Sequence, residues 1–233
     1  MASPATQSTN TAGSRSLPTE AELSDALKVE VYDREGKTHA LGDLVKGKRS
    51  VLIFIRHFWC LNCQAYLRCI SESIPPSNLP PSTQILAIGC GSYQPIDTYA
   101  AKSSSAYPIY TDPSLRLHKL FQFQYNLSEG PGGQEQKDYM RNAGSTMLRV
   151  LGGIKGALGG LQHVNHVGPK ALNGGEVVIS ANGECEYMYR MQNTVDHTNI
   201  SELARIIGVE CKGLDNEEQA KQPCGDACTI EAK

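Results

Sequence analysis

Long apolar runs are missing from this chain. No stretch approaches the roughly 20 residues that a membrane-spanning helix requires, and the N-terminus lacks the apolar core of a secretory signal. Basic clusters are almost missing too: Lys46-Gly47-Lys48-Arg49 is short and runs straight into a strand pattern. With aromatic residues at only 6% and a formal net charge of −2, no nucleic-acid surface and no membrane association are expected. The absences together point to a soluble, cytoplasmic protein. Cysteine, by contrast, is plentiful. Eight cysteines would suit a disulfide scaffold in a short secreted chain. Scattered over 233 residues with no signal before them, they read as mostly free thiols with one or two redox-active pairs.

The length and an apolar content of 40% allow one good core, so one domain is expected over residues 19–210. Residues 1–18 are too polar to fold alone and read as a disordered segment, and residues 211–233 as a flexible tail carrying Cys224 and Cys228. Thr19 with Glu22 forms a capping box for a first helix. It leads into the strand Val29-Glu30-Val31-Tyr32, a turn at Asp33 to Gly36 and a small hairpin. The main strand is Val51-Leu52-Ile53-Phe54-Ile55. Beyond Cys60, Leu61, Ala65, Cys69 and Tyr66, Ile70, Ile74 recur every four residues until Pro75-Pro76 stops the helix. A strand at 85–88, a helix at about 95–102 and a strand at 107–110 follow, an alternation that predicts an α/β sheet. Asp112-Pro113 reads as an N-cap and first helical residue. Residues 128–175 read as an insertion, Gly-rich and helical, with Met140, Ala143, Met147, Leu148 and Leu151 on one side. Val177-Val178-Ile179, a turn at Asn182-Gly183 and a strand at 185–190 predict a hairpin. Asn199 with Glu202 caps a last helix that ends at Gly208.

Two of the cysteines stand where they become chemical. Trp59-Cys60-Leu61-Asn62-Cys63 ends the main strand and opens the helical pattern. A buried strand that delivers Cys-x-x-Cys to the first turn of a helix places the first sulfur among unpaired N–H groups at the positive end of the helix dipole. That setting favours the thiolate. Cys63, one turn further on, can close a small disulfide with Cys60 and so act as its resolving partner. The default reading is a thioredoxin-like redox centre. The competing reading is half of a zinc site completed by Cys224 and Cys228. Structural zinc sites take two tight loops, whereas this pair follows a core strand, so redox chemistry is preferred.

Arg56 is the candidate for polarising a substrate, since it cannot deprotonate. His57 is the candidate for stabilising a thiolate or passing a proton, and reads equally as a strand histidine satisfied by a carbonyl. Alternation puts these two on opposite faces of the strand, so one at most reaches Cys60 unless the strand has already ended. The Cys224 and Cys228 dithiol is either an electron shuttle or an incidental exposed pair. Cys69, Cys90 and Cys185 read as small buried hydrophobes. Gly42 to Lys48 has Walker-like spacing, but no strand precedes it and a strand follows, so it is a loop, as is Gly152 to Gly160.

Taken together, Phe54-Ile55-Arg56-His57-Phe58-Trp59-Cys60-Leu61-Asn62-Cys63 resembles the Phe-x-Arg-His-Phe-x-Cys-x-x-Cys motif of the AhpC/TSA-like, or peroxiredoxin-like 2, proteins. Tyr110-Thr111-Asp112-Pro113, Gly174-Gly175, Asn182-Gly183 and Asp196-His197 follow in the matching order, covering residues of about 28–208. The resemblance implies a thioredoxin-like fold, a mixed central sheet flanked by helices, and a thiol-dependent antioxidant or peroxidase activity with Cys60 as nucleophile. This chain departs from typical peroxiredoxins, which carry Pro-x-x-x-Thr-x-x-Cys. It has Ile53 and His57 at those positions, and Gly174-Gly175 where they place an arginine, leaving Arg56 or Arg149 to supply the positive charge. Asp196-His197 matches the family, but just ahead of a capped helix it reads as a turn organiser.

The first expectation is therefore an oxidoreductase in which the Cys60 thiolate attacks an electrophilic oxygen or sulfur and Cys63 resolves the product. Thioredoxin, glutathione or the tail dithiol would be the reductant, a homodimer would suit the fold, and no cofactor is called for. A second expectation is a dithiol oxidoreductase or isomerase acting on a specific small molecule, with residues 128–175 forming its pocket. A third is a redox-sensing adaptor without turnover.

Overall fold

The computed structural model describes residues 13–132, 136–140 and 165–211. Its strands are β1 (Glu30–Tyr32), β2 (Thr38–Ala40), β3 (Arg49–Phe54), β4 (Thr83–Gly89), β5 (Ile109–Thr111), β6 (Gly175–Ile179) and β7 (Cys185–Arg190). They form one sheet in the order β2-β1-β5-β4-β3-β6-β7. The helices among the described residues are α1 (Glu20–Leu27), α2 (Leu41–Val45), α3 (Leu61–Ser73), α4 (Ile96–Ser103), α5 (Arg116–Leu120) and α6 (Ile200–Ile207). None of them is long and apolar enough to cross a membrane.

β3 lies inside the sheet because both of its faces are apolar. Val51, Ile53 and Ile55 pack with α3, α4 and α6 on one side, while Leu52 and Phe54 pack with α1, α2 and α5 on the other. It runs parallel to β4, which is parallel to β5, and antiparallel to β6. The β3-α3-β4 crossover and the β6-β7-α6 hairpin and helix are the two halves of a thioredoxin-like fold, with the β1-β2 hairpin added at the far edge. The β6-β7 loop spans residues 180–184, closed by Ser180 N–H to the Glu184 carbonyl, with Gly183 in the left-handed conformation.

Several local expectations need correction. Asp112 does not open a helix. Its carboxylate accepts from Ser114 N–H at 2.9 Å and Leu117 N–H at 2.8 Å, across a turn in which Leu115 is left-handed, so α5 starts only at Arg116. Asn199 occupies the N-cap of α6 without making the cap bond. Asp138, far away in sequence, takes Ile200 N–H at 3.0 Å and Ser201 N–H at 3.2 Å, and Asn199 Oδ1 accepts Asp138 N–H instead. Residues 13–16, read as part of the polar leader, are docked on the sheet. Arg190 donates to the carbonyls of Gly13 and Ser16, and its own N–H goes to the Ser14 carbonyl. Cys185 is half-buried, and Cys211, read as tail, is buried beside α6. Residues 1–12, most of the predicted helical insertion with Arg149 and Gly152 to Gly160, and Cys224 with Cys228 lie outside the described residues.

Gly174 and Gly175 set the junction on which the site depends. A Cβ at Gly174 would lie 1.8 Å from the Phe54 carbonyl, and one at Gly175 would lie 2.0 Å from the Tyr189 carbonyl. Only glycine lets β6 reach the end of β3, where the redox motif begins. Gly174→Ala is therefore expected to cost about 3 kcal/mol, because the obstacle is backbone rather than a movable side chain. Gly183→Ala, which meets nothing within 4 Å, is expected to cost only about 1 kcal/mol for its left-handed backbone. Urea unfolding of both variants checks this, and equal losses would show that the junction is not tight.

Candidate redox site

β3 ends at Phe54, and the next six residues turn the chain from sheet to helix. Ile55 N–H still reaches the Ile88 carbonyl, and then Cys60 N–H closes a turn on the His57 carbonyl at 3.0 Å. Cys60 is the N-cap of α3, with its sulfur accepting Cys63 N–H at 3.4 Å. A sulfur here takes the place of the usual capping oxygen, at the end of the helix where negative charge is stabilised. Cys60 is 4% exposed and Cys63 is fully buried. Both are free thiols.

The alternation that seemed to separate Arg56 from His57 does not operate, because the strand has already ended. Arg56 Nη1 lies 3.6 Å from Cys60 Sγ. The rest of its guanidinium is fixed, Nε donating to Asn173 Oδ1 at 3.1 Å and Nη2 to the Lys170 carbonyl at 2.8 Å. His57 turns elsewhere and accepts Trp59 N–H on Nδ1 at 3.2 Å. The C-terminal end of the predicted insertion builds this cradle. Besides the contacts of Lys170 and Asn173 to Arg56, the Val167 carbonyl accepts Phe58 N–H, and Lys170 lies over the Trp59 ring at 5.2 Å.

The two sulfurs are driven in opposite directions. A hydrogen bond from the Cys63 thiol is the largest influence on Cys60 and pulls its pKa well below the ordinary thiol value, with the Arg56 guanidinium adding to it and burial opposing. Burial pushes Cys63 well up, and its bond to Cys60 pushes it further. Burial also lowers His57 to about 4, so its ring is neutral at pH 7 and Arg56 is the standing positive charge. Cys90 and Cys185 are pushed up by burial to about 12 and about 11. Of the two sulfurs, Cys60 is the one drawn toward the thiolate and Cys63 the one drawn toward the thiol.

A second set of residues closes on Cys63. His197 Nε2 is 3.3 Å from Cys63 Sγ, and its Nδ1 is 2.7 Å from Glu176 Oε1. The other Glu176 oxygen accepts from Thr198 N–H at 3.2 Å and Thr198 Oγ1 at 2.7 Å. The imidazole stacks on Tyr66 at 4.2 Å, and its loop is tied to α3 by Asn62, which donates to the Thr194 carbonyl. The Asp196-His197 pair thus splits. Asp196 organises the turn, accepting from Tyr189 and Gln192 and pairing with Lys137, whereas His197 reaches the sulfur. Sequence reasoning missed Glu176 entirely. Its signal was a lone carboxylate ahead of Val177-Val178-Ile179, a charge that a core strand tolerates only with a partner. Among the described residues, no group of three His, Cys, Asp or Glu side chains is disposed to hold a metal.

Comparison with known proteins covers most of the chain. The family profile described as AhpC/TSA antioxidant enzyme matches residues 71–193, a span that begins after Cys63. The chain is similar to peroxiredoxin-like 2C of Homo sapiens, 24% identical over 190 residues that cover 81% of each protein. Among solved structures, a secreted Mycobacterium tuberculosis disulfide oxidoreductase aligns with a TM-score of 0.46 at 12% identity, covering 82% of this chain and 98% of that one. A peroxiredoxin Q of Xanthomonas campestris aligns with a TM-score of 0.44 at 13% identity, covering 79% and 90%.

The proton allotment makes a pH prediction. Between the lowered Cys60 value and the ordinary thiol value near 8.5, the unfolded chain binds more protons than the native one. The contribution of Cys60 to stability therefore grows as pH rises through that window and is lost as pH falls toward its folded value. Arg56→Met is expected to raise the Cys60 midpoint by about one pH unit and to flatten that rise. Ultraviolet thiolate absorbance gives the midpoint and urea unfolding at several pH values gives the slope. An unmoved midpoint would mean that the guanidinium does not act on the sulfur.

Proposed function

The chain belongs to the AhpC/TSA antioxidant enzyme family, and from that premise we propose that it is a thiol peroxidase in which Cys60 is the nucleophile and Cys63 the resolving thiol. The observation that carries the reading is a pair of sulfurs one helical turn apart, Cys60 at the N-cap of α3 with Arg56 Nη1 at 3.6 Å and Cys63 N–H at 3.4 Å, and Cys63 fully buried behind it; the first is drawn toward the thiolate and the second toward the thiol. The Cys60 thiolate attacks the nearer oxygen of a hydroperoxide and the O–O bond breaks. Water or an alcohol leaves with a proton, and Cys60 becomes a sulfenic acid. Cys63 then forms the disulfide as a second water leaves. Arg56 Nη1, fixed beside the sulfur, stabilises the charge that moves onto the departing oxygen. It would take over the part that the threonine and the arginine named above play in typical peroxiredoxins.

The 4% exposure of Cys60 supports a substrate of hydroperoxide size over a protein disulfide as the first reactant. Return to the dithiol requires an external thiol reductant, thioredoxin or glutathione, or exchange with Cys224 and Cys228.

One equivalent of hydrogen peroxide added to the reduced protein, followed by thiol mapping by mass spectrometry, tests this reading. A rapid Cys60 to Cys63 disulfide is expected in the wild type, with a Cys60 sulfenate accumulating only in Cys63→Ser and no oxidation of this pair in Cys60→Ser. If both thiols stay reduced, hydroperoxides are not the substrate. Oxidation without turnover in the presence of thioredoxin or glutathione would favour the redox-sensing adaptor.

A further inference from the structure

We propose that His197 is the general base and acid of the second cysteine, and that Glu176 positions it. This deepens the reading above and rests on the assignment of Cys63 as the attacking thiol in the resolving step. Three contacts carry it: Cys63 Sγ to His197 Nε2 at 3.3 Å, His197 Nδ1 to Glu176 Oε1 at 2.7 Å, and the Thr198 N–H and hydroxyl that lock the other carboxylate oxygen. Histidine and glutamate are both fully buried. A buried carboxylate and imidazole are costly to bury relative to apolar side chains of similar size. A core that only needed filling would not place them end to end against a sulfur.

The carboxylate fixes the tautomer. With Nδ1–H donated to Glu176, the lone pair of Nε2 faces Cys63, and the imidazolium formed on proton uptake lies directly against a negative charge. The groups that face the ring are Cys63 and Tyr66 from α3, Tyr139 from the 138–140 turn, and Glu176 from β6. Tyr187 of β7 reaches Thr198 behind the carboxylate, and the Arg56 backbone N–H holds the far side of Cys63.

The same geometry sets when the base acts. In the reduced site the Cys63 thiol proton has two acceptors, the Cys60 thiolate and His197 Nε2. Once Cys60 is a sulfenic acid its negative charge is gone, and the imidazole becomes the better acceptor. Cys63 then passes its proton to Nε2, its sulfur attacks Cys60 Sγ, and the S–O bond breaks. The departing hydroxide takes up a proton and leaves as water. The oxidising equivalents come entirely from the hydroperoxide that made the sulfenic acid. In the reverse direction, when an external thiolate opens the disulfide at Cys60, the imidazolium protonates the departing Cys63 sulfur.

Two measurements on full-length protein test the role. In the first, wild type, His197→Gln and Glu176→Gln are pulsed with hydrogen peroxide, and the lifetime of the Cys60 sulfenate is followed by dimedone trapping and mass spectrometry. In the second, which needs no peroxide, the reduced proteins are mixed with Ellman's reagent. Cys60 releases the first thionitrobenzoate, and Cys63 displaces the second from the mixed disulfide. In His197→Gln the Cys63 step is expected to slow by about 100-fold at pH 7, the usual range for loss of a general base. The deficit should shrink by about tenfold per pH unit raised, as hydroxide takes over the deprotonation. Glu176→Gln is expected to slow it by about tenfold, with the same recovery. A structural role would not give that alkaline recovery. If His197→Gln keeps the native near-ultraviolet circular dichroism and its Cys63 step stays within twofold of wild type in the Ellman reaction, the inference is overturned whatever peroxide does. If His197→Gln does not fold, Glu176→Gln decides by the same criterion. If the Ellman reaction shows the slowed and pH-recovering step but peroxide leaves Cys60 reduced, the inference stands and the peroxidase reading falls.

Discussion

One proton shared between two sulfurs is the constraint around which the rest of the molecule is arranged. The Cys63 thiol draws Cys60 toward the thiolate, and the charge on Cys60 in turn helps Cys63 keep its proton. That mutual dependence requires the sulfurs to sit one helical turn apart, which the N-cap position of α3 imposes. It also requires a dry surround, supplied by the packing of α3, α4 and α6 on one face of the sheet. The pair of glycines at the mouth of β6 brings the hairpin strand, and with it Glu176, to the level of the motif.

Charge is handled differently at the two ends of the pair. At Cys60 it is permanent and comes from Arg56, whose guanidinium is pinned by a carbonyl and an amide so that it cannot swing away. At Cys63 there is no side-chain cation from Lys or Arg in hydrogen-bonding contact among the described residues, only a buried imidazole ring held by a carboxylate. A fixed charge favours the ionised form of the sulfur beside it, whereas a neutral hydrogen-bonding partner leaves the other sulfur without that bias.

The parts of the site that could be read from the sequence are those carried by neighbouring residues. Cys60, Cys63 and Arg56 lie within eight positions, and the strand, the turn and the helix start were legible as a local pattern. The helix periodicity after Cys60 and the hairpin around Gly183 were legible for the same reason. What escaped was assembled by tertiary contact. The cap of α6 comes from Asp138 rather than from its own Asn199, the Arg56 cradle comes from Lys170 and Asn173, and Glu176 meets His197 from 21 residues away in the chain. His197 was visible, but spacing could not distinguish a turn organiser from a sulfur ligand. The adjacent Asp196 does organise the turn, and one dipeptide carries both roles.

The docking of residues 13–16 on Arg190 also bears on how the sheet ends. β7 is the last strand in the order, so its outer edge would otherwise offer free backbone groups to any passing strand. The Ser14 carbonyl takes the N–H of Arg190, and Gly13 and Ser16 hold its buried guanidinium. This short piece of chain therefore covers the Arg190 end of that edge. A shortened form beginning at the first helix would fold around the same redox centre, but with an unguarded edge and a buried cation short of acceptors, and its weakness would show as self-association rather than as lost chemistry.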